Sequence, residues 1–336
     1  MKSGTPLTAK TLGQVLKYVV GAPWPDFMSE ERAAELAGNA QKIHGILDGA
    51  FGESTVDWIK ERLVAENAAH QVFFGQTYDL TLFRQTLERY GEDQVCEWLK
   101  LKLEPHFLPD VVFTPKSDFP GWKIRPNDRY WTQLAAGKLK RRNAEGKLMT
   151  VKDARLEGAV VLIDTRLKPR YHQNGKQMFA DDKRFMGSII EDLRGDGKIS
   201  RYEHGPQSSR CGVSPNEWQE HIRPKVAEKL KLEPNQIRLE LFLEADVIPQ
   251  LYKMPRVKDG TTDTWVWYEE HFGGLGRRLY GGGSDYGGLA GVDWGRSDDR
   301  WLSGAVRPLV VFYNACFKER ALFLSLIQEP NIRPIS

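Results

Sequence analysis

The segment 280-YGGGSDYGGLAGVDWGRSDDRWLS-303 decides how the rest of the 336-residue chain is read. Its only aliphatic residues are Leu289, Ala290, Val292 and Leu302, and it contains neither Lys nor Glu. Tyr and Trp give rigid contact area at low entropic cost, while Ser, Asp and Arg give adaptable hydrogen bonds, so the composition matches a recognition surface. The plain alternative is a Gly-rich loop that ties two strands together. A phosphate cradle fits poorly, because residues 281–286 (GGGSDY) lack the third glycine of a dinucleotide turn and no Gly-Lys-Ser/Thr exists for a P-loop.

Outward from this segment, short apolar runs at 158–164 (GAVVLID), 237–243 (IRLELFL) and 306–312 (VRPLVVF) predict strands. Helices are expected over 182–193 and 214–230, the second with Ser214 as N-cap, Pro215 at the first helical position and Glu217 completing a capping box. Residues 8–108 read as helical. Val56, Ile59, Leu63 and Val64 share one face, Leu80, Phe83, Leu87 and Tyr90 repeat that spacing, and Val95, Trp98, Leu99 and Leu101 form a third stripe. Pro109, Pro115, Pro120 and Pro126 then interrupt helix, around Trp122 and ahead of Trp131. The expected architecture is therefore α+β, with a helical N-terminal region (1–112), a ligand-binding domain (113–312) and a C-terminal tail (313–336).

Composition excludes several classes. With 40% apolar and 28% charged residues the chain is neither disordered nor a membrane bundle, and its length suggests about two domains. A net charge of +3 is too mild to call for nucleic acid or an anionic membrane by itself. Lys138, Lys140, Arg141 and Arg142 form a local basic cluster, read as a solvated loop with nucleic-acid contact as its alternative. Cys96, Cys211 and Cys316 are odd in number and widely spaced, so they build neither a disulfide framework nor a four-cysteine zinc site. Residues 1–10 show no apolar export signal and no stretch is long enough to span a membrane, so a cytoplasmic or virion-associated protein is expected.

Four motifs invite chemistry. Residues 192–203 (DLRGDGKISRYE) resemble a calcium loop, with carboxylates at loop positions one, five and twelve, but Arg194 puts a cation where an oxygen ligand belongs. The segment is read as a helix C-terminal turn. Glu-Pro-Asn at 233–235 and 329–331 occurs in calcium-dependent sugar sites, yet the Trp-Asn-Asp that completes such a site is absent, and a turn or helix start explains both copies. Cys211 and His221 are ten residues apart without a nucleophile signature around the thiol. His44 and His70 read as core or surface histidines rather than ligands. No catalytic residue, cofactor or metal is expected.

The order of residues around the Gly-rich segment adds a resemblance. Arg278-Leu279, Gly281-Gly282, Gly287-Gly288-Leu289-Ala290-x-Val292 and Arg307-Pro308-Leu309-Val310-Val311-Phe312 resemble the C-terminal pattern of variable proteins of diversity-generating retroelements. Upstream landmarks look similar: Pro120-Gly-Trp122-Lys123, Trp131, residues 158–162, Asp164-Thr165, Lys168-Pro169, Tyr171, residues 175–178 (GKQM), Asp181-Asp182, Leu193-Arg194, Ser209-Arg210 and Thr264-Trp265-x-Trp267. The resemblance covers 120–312 and implies a C-type-lectin-like fold, of the formylglycine-generating-enzyme type, in which chosen surface positions are rewritten through a reverse transcriptase. Two departures stand out: Ala305-Val306 replace the usual Gly-Phe before Arg-Pro, and residues 313–336 continue past the usual end.

In such a scaffold the variable segment is about 278–306. Tyr280, Ser284, Asp285, Tyr286, Asp293, Trp294, Arg296, Ser297, Asp299, Arg300, Trp301 and Ser303 are the outward, ligand-binding candidates. Gly281, Gly282, Gly287, Gly288, Arg307 and Pro308 are scaffold, and Leu289, Val292 and residues 310–312 are expected in the core. Trp294 and Trp301 read as hot spots and Arg296 and Arg300 as charged anchors. Trp265 and Trp267 read as one core and one rim residue. The implied function is non-enzymatic binding of a protein or other macromolecular target chosen by diversification, with the 1–112 region as an adaptor. The alternatives are a copper-dependent oxidase of the formylglycine-generating type, which would need a cysteine pair, and a nucleic-acid-associated structural protein using the cluster at Lys138 to Arg142.

Overall fold

The computed structural model describes residues 54–143, 146–166, 181–254, 265–282 and 291–312. The chain divides into two units, Met1–Glu61 and Arg62–Ser336, and all of the packing that positions the candidate site lies in the second. Helices and strands are mixed, as expected. Helices α1 (Ser54–Phe74) and α2 (Thr81–Lys100) lead into β1 (Leu103–Phe113). Next come α3 (Asp128–Ala135), β2 (Leu139–Arg142), β3 (Leu148–Thr150) and β4 (Ala154–Asp164). Helix α4 (Met186–Gly195), the composite helix α5 (215–230), β5 (Ile237–Leu239) and α6 (Phe242–Leu251) form the middle. The chain then runs through β6 (Trp265–Phe272), β7 (Arg277–Gly281), β8 (Val292–Arg296), β9 (Gly304–Val306) and β10 (Pro308–Phe312).

Two sheets share these strands. One has the order β1-β4-β10-β5; the other runs β3-β2-β6-β7-β8, with β9 parallel to β6. One core cluster joins them: Leu156, Val161, Ile163, Leu309 and Val311 from the first meet Val266, Tyr268, Leu279 and Val292 from the second, with Phe242, Val247 and Ile248 of α6. The other face of the first sheet is covered too, where Tyr90 and Trp98 of α2 pack on Phe312 with ring centroids 5.2 and 5.7 Å away. Residues 159–164 are therefore buried throughout, which is why GAVVLID shows no polar alternation.

Several expected boundaries move. Residues 103–108, read as helix, belong to β1, and the expected domain boundary after 112 falls inside this strand. Pro105 and Pro109 deny helix its hydrogen bonds but are tolerated on a sheet edge, and β1 is an edge strand that pairs along its length with β4. Residues 62–112 are thus part of the same unit as the sheets, and only 1–61 lie outside it. On α1 the buried face carries Glu66, His70, Phe73 and Phe74, whereas Val64, expected inside, is 62% exposed. Glu66 is buried because it is fully used: its carboxylate accepts from the Phe107 backbone N–H (2.8 Å), the Tyr252 hydroxyl (2.6 Å) and His106 Nδ1 (3.0 Å). His70 is a core histidine, as expected, with Nε2 donating to the Phe107 carbonyl (2.9 Å).

Residues 237–243 also split. Only 237–239 form strand, because Glu244 accepts from the Leu241 N–H (2.8 Å) and Glu270 from the Phe242 N–H (3.1 Å), which caps a helix there. The expected strand at 306–312 is divided between the sheets at Arg307, whose guanidinium donates to the carbonyls of Asp164 and Arg166 (both 3.0 Å). Helix α4 begins four residues later than expected, at Met186. The Ser214 capping box is present: Ser214 Oγ accepts from the Glu217 N–H (3.2 Å) and Glu217 from the Ser214 N–H (3.0 Å). The tail 313–336 lies outside the described residues.

A buried ion network sits where the sheets exchange strands. Arg210, 1% exposed, donates to Asp164 Oδ2 (2.6 Å) and to Asp181, and Arg166 donates to Asp164 Oδ1 (2.8 Å). Burial alone would raise the Asp164 carboxyl, but Arg210, Arg166 and Arg307 reverse this and hold it well below the usual carboxylate range. A carboxyl depressed on folding contributes stability that is present above its unfolded value and lost as pH falls. Asp164→Ala should destabilise the protein by about 3–5 kcal/mol in urea denaturation, because it leaves the buried guanidinium groups of Arg210 and Arg166 with the single carboxylate of Asp181. The wild type should lose stability as pH drops below about 4, and a midpoint unmoved by either change would show that the network carries little.

Asp246 behaves oppositely. It accepts from Trp122 Nε1 (2.7 Å), and burial pushes its carboxyl up to about 8. With the folded value raised, its contribution is present below the unfolded value and is lost progressively as pH rises towards 8. Asp246→Asn keeps an oxygen for Trp122 and removes the titration, so it should raise stability at pH 8 while changing it little at pH 4; denaturation midpoints at the two pH values check this.

Candidate binding surface

Strands β7 and β8 carry the described part of the expected surface. Their antiparallel register pairs Leu279 with Trp294, Tyr280 with Asp293 and Gly281 with Val292. Because side chains alternate along a strand, this register sends Trp294 and Tyr280 to opposite faces, and Trp301, beyond β8, packs on the Tyr280 side.

Trp294 lies on the face shared with Leu279 and Val292. Its ring stacks on Phe272 (centroids 5.2 Å apart, planes 4° apart), the Arg277 guanidinium lies 4.2 Å from its centroid, and it packs against the main core. Trp301 belongs to an aromatic cluster on the opposite face. Its ring centroid is 4.5 Å from Trp267 and 4.1 Å, edge-on, from Tyr280, while Tyr280 packs edge-on against Trp265 at 4.9 Å. Gly295 makes room for it, since a Cβ there would sit 2.6 Å from the Trp301 ring. Both tryptophans are half-buried, so the surface rests on them more than it projects them. Trp267 is buried and Trp265 half-buried, the expected division into core and rim.

The polar candidates divide as well. Ser297, expected to point outward, is 3% exposed, and its hydroxyl donates to the Leu275 carbonyl (3.0 Å). Its backbone is taken too: the N–H donates to Gly276 and the carbonyl accepts from Asn216, both at 3.0 Å. A small hydroxyl that can satisfy itself against backbone is readily buried. Asp293 is half-buried and held in a two-point pair by Arg129 (2.7 and 3.1 Å). Arg296 is exposed and leans on Asp298 (2.7 Å), while Asp299 accepts from the Arg296 N–H (3.0 Å). Arg300, also exposed, donates to Glu217 of α5 (2.8 Å). Burial opposes the charge on Glu217, but the N–H groups of Ser214 and Ser200 and the Arg300 guanidinium outweigh it and hold the carboxyl below its usual range. Ser303 is half-buried, its carbonyl accepting from the Trp265 N–H (2.7 Å).

The scaffold residues among those described are inside. Arg307 and Pro308 are buried, Gly282 has a φ of +81°, and a Cβ on Gly281 would overlap the Gly291 carbonyl oxygen. Ser284, Asp285, Tyr286, Gly287, Gly288 and Leu289 lie outside the described residues. Arg129, Phe272, Arg277 and Glu217 complete the surface and were not expected from sequence. Arg277 lies two residues before Leu279, on the same face of β7, and was open to inference; Arg129 is 164 residues from Asp293, and only the fold joins them.

The other chemical motifs resolve into structure. Arg194 is buried and donates to the carbonyls of Ser200 (3.0 Å), Gln207 (2.6 Å), Ser209 (2.8 Å) and Cys211 (2.8 Å), so it organises the turn after α4 in place of a calcium ion. Residues 234–236 form one 3-10 turn behind Glu233. The Cys211 thiol is pushed up to about 12 by burial and stays protonated. Among the described residues, no group of three or more His, Cys, Asp or Glu side chains could hold a metal ion, and no helix is long and apolar enough to cross a membrane.

Trp301→Ala should therefore destabilise the protein by about 2–3 kcal/mol, somewhat less than loss of a fully buried tryptophan. Gly295→Ala should destabilise it as well, because its Cβ displaces the same ring. Chemical denaturation of the two variants tests this, and an unchanged midpoint for Trp301→Ala would return that residue to the role of an outward contact.

Comparison of the chain with family models, with curated proteins and with solved structures finds no match.

Proposed function

We propose that this chain is a non-enzymatic binding protein that displays the 278–306 segment on a C-type-lectin-like scaffold, with a protein or other macromolecule as its target. One observation carries the reading. Within a single short segment, the residues of the fixed pattern (Gly281, Gly282, Val292, Arg307, Pro308 and the strand to Phe312) are buried, whereas Arg296 and Arg300 are exposed and Tyr280, Asp293, Trp294, Asp299, Trp301 and Ser303 are half-exposed, with buried Ser297 the exception among the described candidates. A surface whose side chains can be exchanged without disturbing the core needs that partition. The strand order supports it further, because β10 returns to the middle of the first sheet, between β4 and β5, and so fixes the end of the segment in the core.

The half-burial of Trp294 and Trp301 shifts the energetic centre of binding towards Arg296, Asp299 and Arg300, with Leu302, 48% exposed, as an apolar contact between them. The proposal places the protein in the cytoplasm or on a virion. The oxidase alternative draws no support from Cys211, whose thiol is buried and protonated.

The DNA flanking the gene tests the reading directly. A near-copy of the coding segment for 280–303, differing at adenines and accompanied by a reverse transcriptase gene, is the expected result, and the substituted codons should fall on the exposed and half-exposed positions. Absence of such a copy, or substitutions concentrated at Gly281, Gly295 or Arg307, would overturn diversification. Combined Arg296→Ala, Asp299→Ala and Ser303→Ala changes should shift the melting midpoint by no more than about 2 °C.

A further inference from the structure

The basic cluster in β2 has a use that the display surface does not absorb. It borders a cavity of about 180 Å³ lying between the β2–β3 hairpin, the start of β4 and the N-terminal end of α6, at the opposite end of the second sheet from β8. That is too large for one or two waters and small for a drug-sized ligand, so it suits a small molecule.

Its buried end is polar and incompletely satisfied. Tyr130 is 2% exposed and its ring is fixed against Phe242 (centroids 4.6 Å apart), yet its hydroxyl makes no hydrogen bond to any described residue. Burial, together with the carboxylates of Glu270, Asp246 and Asp153, keeps this phenol protonated, so it is a donor with no acceptor among the described residues. Beside it lies Glu270, 4% exposed, whose two oxygens share the single N–H of Phe242 (3.1 Å each). Burial pushes Glu270 up to about 7, which lets it accept or donate. A donor and an amphoteric carboxyl lining one cavity match a hydroxyl group, which needs one of each.

The outer end carries four basic side chains, Arg141, Arg142, Lys152 and Arg155, against the carboxylates of Asp153 and Glu157. Two of its arginines are held in place by carboxylates: Arg141 by Glu157, and Arg155 by Asp110 through two bonds (2.5 and 2.6 Å). Arg142 and Lys152 are exposed at the rim and form no ion pair with any described residue; Arg142 donates only to the Gly146 carbonyl (2.8 Å). Lys140, the remaining basic residue of the strand, turns instead to Thr150 Oγ1 (3.0 Å). Arg141 and Arg142 of the cluster thus border the cavity, whereas Lys138 and Lys140 do not, and two arginines facing a confined space fit a small anion better than an extended polyanion.

We propose that this cavity binds a small hydroxylated anion, its phosphate or carboxylate against Arg142 and Lys152 and a hydroxyl between Tyr130 and Glu270. The site is separate from the display surface and stands whether or not that surface is diversified.

Titration calorimetry of the full chain with glucose 6-phosphate and with gluconate, alongside glucose and inorganic phosphate, tests it. Saturable binding of at least one hydroxylated anion at millimolar concentration is expected, and the tighter of the two identifies the anionic group. Arg142→Ala with Lys152→Ala, both exposed, should weaken that binding by about tenfold or more, and Tyr130→Phe, which keeps the ring, should weaken it several-fold. Binding of neither anion, binding no tighter than inorganic phosphate, or binding indifferent to the rim variants would overturn the proposal. The rim variants keep it testable even if Tyr130→Phe fails to fold.

Discussion

Everything that positions the candidate surface depends on how three guanidinium groups and two carboxylates are buried together behind it. Arg210 reaches Asp164 and Asp181, Arg166 reaches the same two residues, and Arg307 holds the carbonyls at the end of β4. Such a network is a poor source of net stability, because desolvating each charge costs several kcal/mol and a hydrophobic replacement can do as well. Its effect is geometric. The chain has to leave β9 in one sheet and enter β10 in the other within a single residue, and Arg307 is that residue. Fixed on both sides, Arg307 sets where the Gly-rich segment ends, while Gly281 and its register with Val292 set where β8 begins.

The parts of this arrangement visible in the sequence are those decided locally. The capping box of Ser214 and Glu217 follows from the residues themselves, and so does the burial of Phe83, Leu87 and residues 159–164. What escaped reading is decided by distant partners. Residues 103–108 have helical neighbours and an apolar stripe, but β4 offers an edge that two prolines can join. Val64 looks like the inner face of α1 until Phe107 and Tyr252 give Glu66 its hydrogen bonds and turn that face to the core. Residues 237–243 alternate like a strand, and it is the carboxylate of Glu270 on β6 that stops the strand at Leu239 and starts a helix. Arg194 argued against calcium by its charge alone; that it would be the buried hub of four carbonyls was not legible, because those carbonyls come from the loop after it.

The same distinction governs the candidate site. Composition left a recognition surface and a connecting loop both open and could not say which aromatic rings would be exposed, because that depends on the register of β8 against β7 and on a glycine, Gly295, beneath Trp301. Once Trp294 is stacked on Phe272 and Trp301 packed on Trp267, large rigid side chains form the foundation, and charged side chains form the exposed layer. Even that layer is partly held: Arg129 orients Asp293, Glu217 orients Arg300, and Asp298 orients Arg296. A binding surface gains affinity when its groups are ordered before the partner arrives, since the entropy of fixing them is then spent in folding. On the proposed binding role, the three pairs act in that way. They also limit the chemistry available at each position, because Asp293 and Arg300 can be exchanged only for residues that leave Arg129 and Glu217 solvated or re-paired. Glu217 is the stricter constraint: its carboxylate is buried and tied to the capping box of α5, so a non-basic residue at 300 leaves it to uncharged donors, the N–H groups of Ser200 and Ser214 and the Ser214 hydroxyl. Position 296, with partners only on its own exposed turn, is the freer of the two arginines to vary.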